Sequence, residues 1–397
     1  MKEWKTYKVG EICSSISETY KGHSKSVVLI NTSDVLEGRC LNHELVPNKD
    51  LKGQFKKVFK FGDILYSEIR PANKRFAYID FDAIDYIAST KLMVLRNNEN
   101  VSNRFLYHFL KSESTIAELQ ALAESRSGTF PQITFSELSQ LEISIPDIET
   151  QLAISNFIDT LESKIELNRQ INDNLEQQAQ ALYKSWFVDF EPFLDGDFVE
   201  SELGLIPKDW QCIQFSTFVS ESKVKTGEIG IKEFSVTNSG IFPRDAKYNK
   251  SLSQSSAKNK LIQRGDLVFG MSREILNWGV MQEERGGVSS AYAVYNINSA
   301  LVSSTYLELF IKSRVYLFSD LIRPAAREGQ SIDKSLLQTK VLLLPPKDVL
   351  DTFWPLYNSL INQIQTTVTE IDSLGNIRDT LLPKLMSGEL KINEIDS

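Results

Sequence analysis

Two stretches of this chain place apolar residues at steps of three and four. The first carries Ile154, Ile158, Leu161, Ile165, Ile171, Leu175, Ala179, Leu182 and Trp186. The second carries Leu350, Phe353, Tyr357, Leu360, Ile364, Val368, Ile371, Leu374, Leu381 and Leu385. Each spacing predicts a long helix with one apolar stripe. Asp147 stands where a capping side chain can satisfy an orphan backbone N–H. Asn168 and Asn172 interrupt the first stripe, and a buried Asn can fix the register of paired helices at some cost in stability. Pro383 and Gly388 mark the frayed end of the second helix. The expected seam joins Ile158, Leu161, Ile165, Leu175 and Leu182 to Tyr357, Leu360, Ile364, Ile371 and Leu374.

The segments before the two helices repeat one another. Gly62-Asp63 feeds the apolar run Ile64-Leu65-Tyr66, and Gly265-Asp266 feeds Leu267-Val268-Phe269. Each reads as a turn into a strand. Ile87-Ala88-Ser89-Thr90 has a counterpart in Val288-Ser289-Ser290-Ala291. The amphipathic stretch from Phe105 to Ser112 matches Tyr306 to Ser313, and both predict one or two helical turns. Short helical stretches follow at Ser136-Glu137-Leu138 and at Lys334 to Leu337. Each copy then gives a strand ending in proline, at Pro146 and at Pro345-Pro346, and a long helix begins.

The order is therefore module, helix, module, helix. The expected boundaries are 1–146 for the first recognition module, 147–190 for the central helix, 191–345 for the second module and 346–397 for the distal helix. If the two stripes bury against each other, the second helix must run back along the first. The predicted fold is α+β: two tandem modules of mixed helix and strand, separated by two long helices in an antiparallel coiled coil, with an approximate two-fold relation between the halves. About 38 residues of helix span roughly 57 Å. One turn of B-DNA is about 34 Å, so modules at the ends of such a rod could touch sites somewhat more than a turn apart.

At 397 residues, with 42% hydrophobic and 24% charged positions, the chain has a globular composition. Its net charge of −8 argues against a nucleic-acid partner only until it is divided. Residues 147–202 carry −10 and 345–397 carry −4, whereas 1–146 carry +1 and 203–344 carry +5. The acid sits on the helices and the modules are slightly basic, so each region presents its own field. Three cysteines (Cys13, Cys40, Cys212), none in CxxC spacing, predict neither a disulfide framework nor a zinc site. With no apolar run long enough for a membrane span and no signal-peptide pattern at the start, the expected location is the cytoplasm.

Self-sufficient catalysis is not written in recognisable form. There is no phosphate-binding GxxxxGK[ST], no GxGxxG, no HExxH and no GxSxG, and the three histidines (His23, His43, His108) lie apart. An Asn-Pro-Pro or Asp-Pro-Pro aromatic motif of amino-methyltransferases and a nuclease carboxylate–lysine cluster are likewise missing. DNA readers need cations for phosphates and forked or amide side chains for base edges. The first module offers Arg70, Asn73, Lys74 and Arg75 after its Gly-Asp strand, and Arg126, Thr129 and Gln132 in a glycine-containing loop. The second offers Arg273 and Asn277, then Arg323, Arg327 and Gln330, at the matching points. Equivalent loops with different residues suit one scaffold reading two sequences.

Three segments resemble a known family. Pro146 to Ile154 looks like the proline–Glu-Gln opening of the central helix in specificity (S) subunits of type I restriction-modification systems. Ile165-Glu166-Leu167-Asn168, Ile171-Asn172, Leu175-Glu176 and Leu182 to Phe187 resemble that family's central conserved region, and Leu381 to Leu390 its distal one. The departures are Thr150, where glutamate is usual, and Lys347-Asp348-Val349, which lacks the Glu-Gln opening. The resemblance implies a non-catalytic subunit that binds a bipartite, asymmetric site in double-stranded DNA, one half per module, with the helix pair setting the gap. It implies two modification subunits that methylate adenine N6 with S-adenosylmethionine, and two restriction subunits that use ATP and Mg. This chain itself would bind no cofactor and no metal. On the residues alone, two other classes remain: a self-contained DNA methyltransferase or endonuclease, and a protein-only coiled-coil adaptor.

Overall fold

The computed structural model describes the chain except for residues 1–3, 50, 52, 99–100, 127–128, 229, 245–255, 273, 323–331 and 393–397. It divides into two compact units, one formed by 1–172 with 366–397 and the other by 173–365. Two long helices pass through both: Ile148–Phe187, 40 residues, and Lys347–Ser387, 41 residues.

In the first unit, strands Cys13–Ile16, Leu92–Asn97, Ile64–Ser67 and Phe76–Tyr78 lie side by side in that order, all antiparallel. Val94 stands opposite both Ile16 and Leu65. A second four-stranded sheet orders Leu45–Pro47, Ser26–Ile30, Tyr86–Ser89 and Phe55–Val58, with Tyr86–Ser89 parallel to Ser26–Ile30. The central strand Ile64–Ser67 is buried at every position, as a strand covered on both faces must be. Helices Asn103–Leu110 and Glu113–Arg126 lay Phe105, Leu106, Leu110 and Leu119 into the core. Strand Lys5–Lys8 pairs with Glu142–Ile145, so the segment that opens the module lies beside the one that leaves it.

The second unit repeats the first of these sheets, whereas in place of the second sheet it holds two separate pairs, Phe234–Thr237 with Gly240–Pro243 and Lys260–Gln263 with Arg285–Val288. Val219–Ser222, Ala293–Ile297, Leu267–Phe269 and Trp278–Val280 take the same strand order with the same antiparallel pairings. Gln211–Gln214 pairs with Val341–Leu344 just before the second long helix. The likeness extends to single bonds. Gly62 and Gly265 hold φ of +86° and +89°, a region costly for residues with a Cβ. Behind each, the aspartate carboxylate accepts the backbone N–H three residues earlier: Lys60 to Asp63 at 2.9 Å, and Gln263 to Asp266 at 2.8 Å. Ser102 and Ser303 each cap their helix by accepting from the N–H three residues on, Phe105 and Tyr306.

Asp147 accepts the Thr150 N–H at 3.2 Å, beside the start of the first long helix. Within the first unit, Glu162 lies by Arg378 at 3.8 Å, Asn168 donates to Glu370 at 2.9 Å, and Asn172 accepts from the Thr367 hydroxyl. Numbers rise on one helix as they fall on the other, so these stretches run antiparallel. Ile158, Ile165, Leu175 and Ala179 are buried, and Leu161, Leu182, Tyr357, Leu360, Ile364, Ile371 and Leu374 are half-buried.

Two details depart from the pattern of the sequence. Ile171 and Val368 face outward, each 37% exposed, while Asn168 and Asn172 are buried. The path Ile165, Asn168, Asn172, Leu175, with steps of three, four and three, also fits a stripe, and the hydrogen bonds across the pair choose the asparagines. The second helix does not fray at Pro383 but continues to Ser387. Leu382, Leu385 and Met386 are buried in the first unit's core, which holds the last turn against the bond that proline removes. Gly388 ends it at φ +75°, where a Cβ would stand 2.8 Å from the Trp4 ring.

Candidate nucleic-acid interface

The Gly-Asp strand of the first unit ends at Ser67, and the chain then enters a loop of unusual backbone. Arg70 and Lys74 both sit in the left-handed region, at φ +44° and +52°, flanking the short turn Pro71–Asn73. Neither is glycine, so the surroundings must hold them there. They do: the Arg70 N–H bonds the Pro131 carbonyl at 3.1 Å, its guanidinium reaches the Thr129 carbonyl at 3.4 Å, and the Ala72 N–H bonds Gln120 at 3.0 Å. Ile69 forms a β-bridge with Gln132. The loops around Arg70 and around Thr129–Gln132, which lie about 60 residues apart in sequence, are thus one surface.

The predicted residues divide on this surface. Arg70, Asn73 and Thr129 are exposed. Arg75 turns inward, donating to the carbonyls of Ser33 at 2.9 Å and Val35 at 3.3 Å. Lys74 pairs with Glu113 and Arg126 with Glu137. Gln132 is half-buried and accepts from Lys91 at 3.2 Å. Lys91 and its neighbour Glu68, 3.4 Å apart, belong to the same surface and were not singled out by sequence. A surface Lys and Glu 23 positions apart carry no local signal; only the pairing of strands brings them together. In the second unit, the Asn277 side chain donates to the Met271 carbonyl at 2.6 Å and its backbone N–H donates to the Ser272 hydroxyl oxygen at 2.8 Å. Arg273, Arg323, Arg327 and Gln330 lie outside the described residues.

The first unit ties its module to its helix by charge. Arg104 donates to both oxygens of Asp159, at 2.9 and 2.7 Å, and stacks over Tyr78 at 4.4 Å. Lys111 pairs with Glu162, which also faces Arg378. His108, fully buried, places Nε2 2.9 Å from Asp159, a close but poorly aligned contact, and its Nδ1 has no hydrogen-bond partner. Burial pushes the imidazole down to about 4. Burial also resists the charge on Asp159, but the close approach of His108 and the hydrogen bonds from Arg104 outweigh it and hold the carboxyl at about 2. Because the imidazole is neutral above pH 4, Arg104 is the cation that matters there. His108, Asp159 and Glu162 bring their ligand atoms within 4.8 Å of one another. Their carboxylates already face Arg104, Lys111 and Arg378, so the group is an ion-pair network and fits a divalent cation poorly. In the second unit the same junction is aromatic: Phe187 meets Phe353 at 4.6 Å and Trp210 at 5.7 Å, and Arg314 caps the Phe187 carbonyl at 2.6 Å.

Two modules share one core sheet, each ending a Gly-Asp strand in a loop of different residues and each leading into a long helix. Residues 1–177 match the family described as the type I restriction modification DNA specificity domain. The chain is 52% identical over 194 residues to the HindI specificity subunit of Haemophilus influenzae, a match covering 48% of this chain and 42% of that one. It is 25% identical over 370 residues to the MjaIX specificity subunit of Methanocaldococcus jannaschii, covering 88% and 82%. The HindI match thus spans less than half of that relative, whereas the MjaIX match spans most of both chains. A chain solved in work on the assembly and conformational transition of the type I R-M system shares the fold at TM-score 0.54 and 17% identity, over 98% of each chain. The type I S subunit of M. genitalium does so at 0.50 and 14%, over 97% and 96%. Residues 1–177 thus match the specificity-domain family, and over most of its length the chain is similar to a type I specificity subunit. No helix among the described residues is long and apolar enough to cross a membrane.

Proposed function

We propose that this chain is the DNA-recognition subunit of a type I restriction-modification complex and has no catalytic activity of its own. Each module reads one half of a bipartite, asymmetric site in double-stranded DNA, and the helix pair sets the unread gap. Two modification subunits dock on the chain and methylate adenine N6 with S-adenosylmethionine; two restriction subunits join and use ATP and Mg. This chain binds none of those cofactors, and the complex works in the cytoplasm.

The observation that carries this reading is the repeat itself. The strand order of one four-stranded sheet, the Gly-Asp turn and the helix cap are the same in both units, while the loop after the turn is Glu68 to Arg75 in one and Met271 to Asn277 in the other. A shared frame with different exposed side chains is what reading two different sequences requires. The relatives' description as specificity subunits supports it. Methylome sequencing of the host with and without this gene tests it. The expected result is a two-part adenine-methylated motif that disappears with the gene; an unchanged methylome overturns the proposal. The purified chain alone should neither methylate nor cut DNA.

A further inference from the structure

We propose that Glu68 and Lys91 read one G·C base pair in the half-site of the first module. This deepens, and rests on, the reading of the chain as a DNA-recognition subunit. The pair sits where three segments meet. The Glu68 N–H bonds the Lys91 carbonyl at 3.0 Å, the Ile133 N–H bonds the Glu68 carbonyl at 2.8 Å, and Gln132 bridges to Ile69. Main-chain bonds therefore fix both side chains at their roots. The Lys91 ammonium has three donors. Glu68 takes one at 3.4 Å and Gln132 takes another at 3.2 Å, and the side chain remains 49% exposed. That leaves one Lys91 donor, beside a Glu68 side chain that is 19% exposed.

The carboxylate decides what this pair suits. A lysine meant for phosphate gains nothing from a neighbouring anion, which repels the DNA backbone. A base pair is different. In the major groove, G·C presents the guanine O6 and N7 acceptors beside the cytosine N4 donor. Lys91 donating to guanine while Glu68 accepts from cytosine satisfies both edges of one pair, and Gln132 acts as a positioning residue for the ammonium. The second unit supplies a contrast on the same backbone. Ser89 accepts the Lys91 N–H at 3.3 Å, and Ser289 accepts the Ala291 N–H at 3.3 Å. Met271 stands five residues past Asp266, as Glu68 stands five past Asp63. That unit offers Met271 and Ala291, both exposed and apolar, in place of the charged pair.

The test is methylome mapping with the full complex carrying wild type, Lys91→Ala, Glu68→Gln or Lys91→Arg. Wild type should show a fixed G·C at one position of one half. Lys91→Ala and Glu68→Gln should each relax that position tenfold or more, leave the other half and the gap unchanged, and leave Tm unchanged. Lys91→Arg should retain the guanine. An unaltered motif in both variants, or a uniform loss of binding at every site with a shallower salt dependence, overturns the proposal, the latter because it marks a phosphate contact. A wild-type complex without any two-part motif overturns the recognition reading itself, a different failure.

Discussion

Asn168 donates a hydrogen bond to Glu370 at 2.9 Å from a position only 1% exposed between the two long helices. A buried amide bonded to a carboxylate contributes more than a neutral pair does, about 1.5–3 kcal/mol. Lys164 reaches the same carboxylate at 3.5 Å from a more exposed position. We expect Asn168→Ala to lower stability by about 2 kcal/mol. A double-mutant cycle with Glu370→Ala should give a coupling of at least 1 kcal/mol by denaturant unfolding. Additive effects would show that the bond does not hold the pair.

The network at His108 sets a pH response. Its imidazole is held neutral in the fold down to about pH 4, while in the unfolded chain it takes a proton near 6.5. Stability is therefore full above pH 6.5 and declines as pH falls toward 4. Asp159, held at about 2 against an ordinary 3.8, acts in the same sense, its contribution being lost as pH falls from about 4 through 2. Tm measured from pH 8 to 4 should be flat at first and then fall. His108→Gln should flatten the stretch between 6.5 and 4. A variant profile parallel to wild type would sink the assignment.

The two Gly-Asp turns differ in what balances the aspartate. Asp63 meets the Arg96 guanidinium through two bonds of 2.7 Å, whereas the side-chain partner of Asp266 is the neutral amide of Asn296, at 2.8 Å, and burial raises its pKa. Asp63→Asn leaves a guanidinium without its partner and should cost about 3 kcal/mol. Asp266→Asn removes a charge that burial disfavours, and an amide can still accept from the Gln263 N–H; it should cost under about 1 kcal/mol. Equal losses by chemical denaturation would contradict this.

Arg75 and Asn73 should separate stability from sequence choice. Arg75→Ala strips the Ser33 and Val35 carbonyls of their donor and should cost about 1–2 kcal/mol. Asn73→Ala, at an exposed position, should leave Tm unchanged and alter one half of the methylated motif. A Tm loss for Asn73→Ala, or changes in both halves, would reject that division.

The spacer can be tested by length. One heptad added to each helix adds about 10 Å, roughly three base pairs at 3.4 Å each. The motif's gap should grow by about three and each half should stay the same. An unchanged gap would refute the measuring role.

Much of this was legible in the amino-acid order because it depends on local signals. The repeat rests on Gly-Asp turns, serine caps and proline-ended strands, and the long helices rest on 3.6-residue periodicity. What escaped depends on partners far along the chain. Arg75 looks like a DNA contact until Ser33 and Val35 are found beneath it. Lys91 and Glu68 look like ordinary surface charges until strand pairing joins them. Ile171 fits an apolar stripe, yet hydrogen bonds across the helices place Asn168 and Asn172 there instead. Pro383 carries a stop signal that burial of Leu382 and Leu385 overrides.

In each module an early strand lies against the last one, Lys5–Lys8 on Glu142–Ile145 and Gln211–Gln214 on Val341–Leu344. A reading unit is therefore a cassette whose entry and exit are adjacent, so recombination at those strands can replace it whole without cutting through a sheet or core. If the modules read DNA as proposed, exchanging one cassette at a time would change the sequence read while leaving the two long helices as they are.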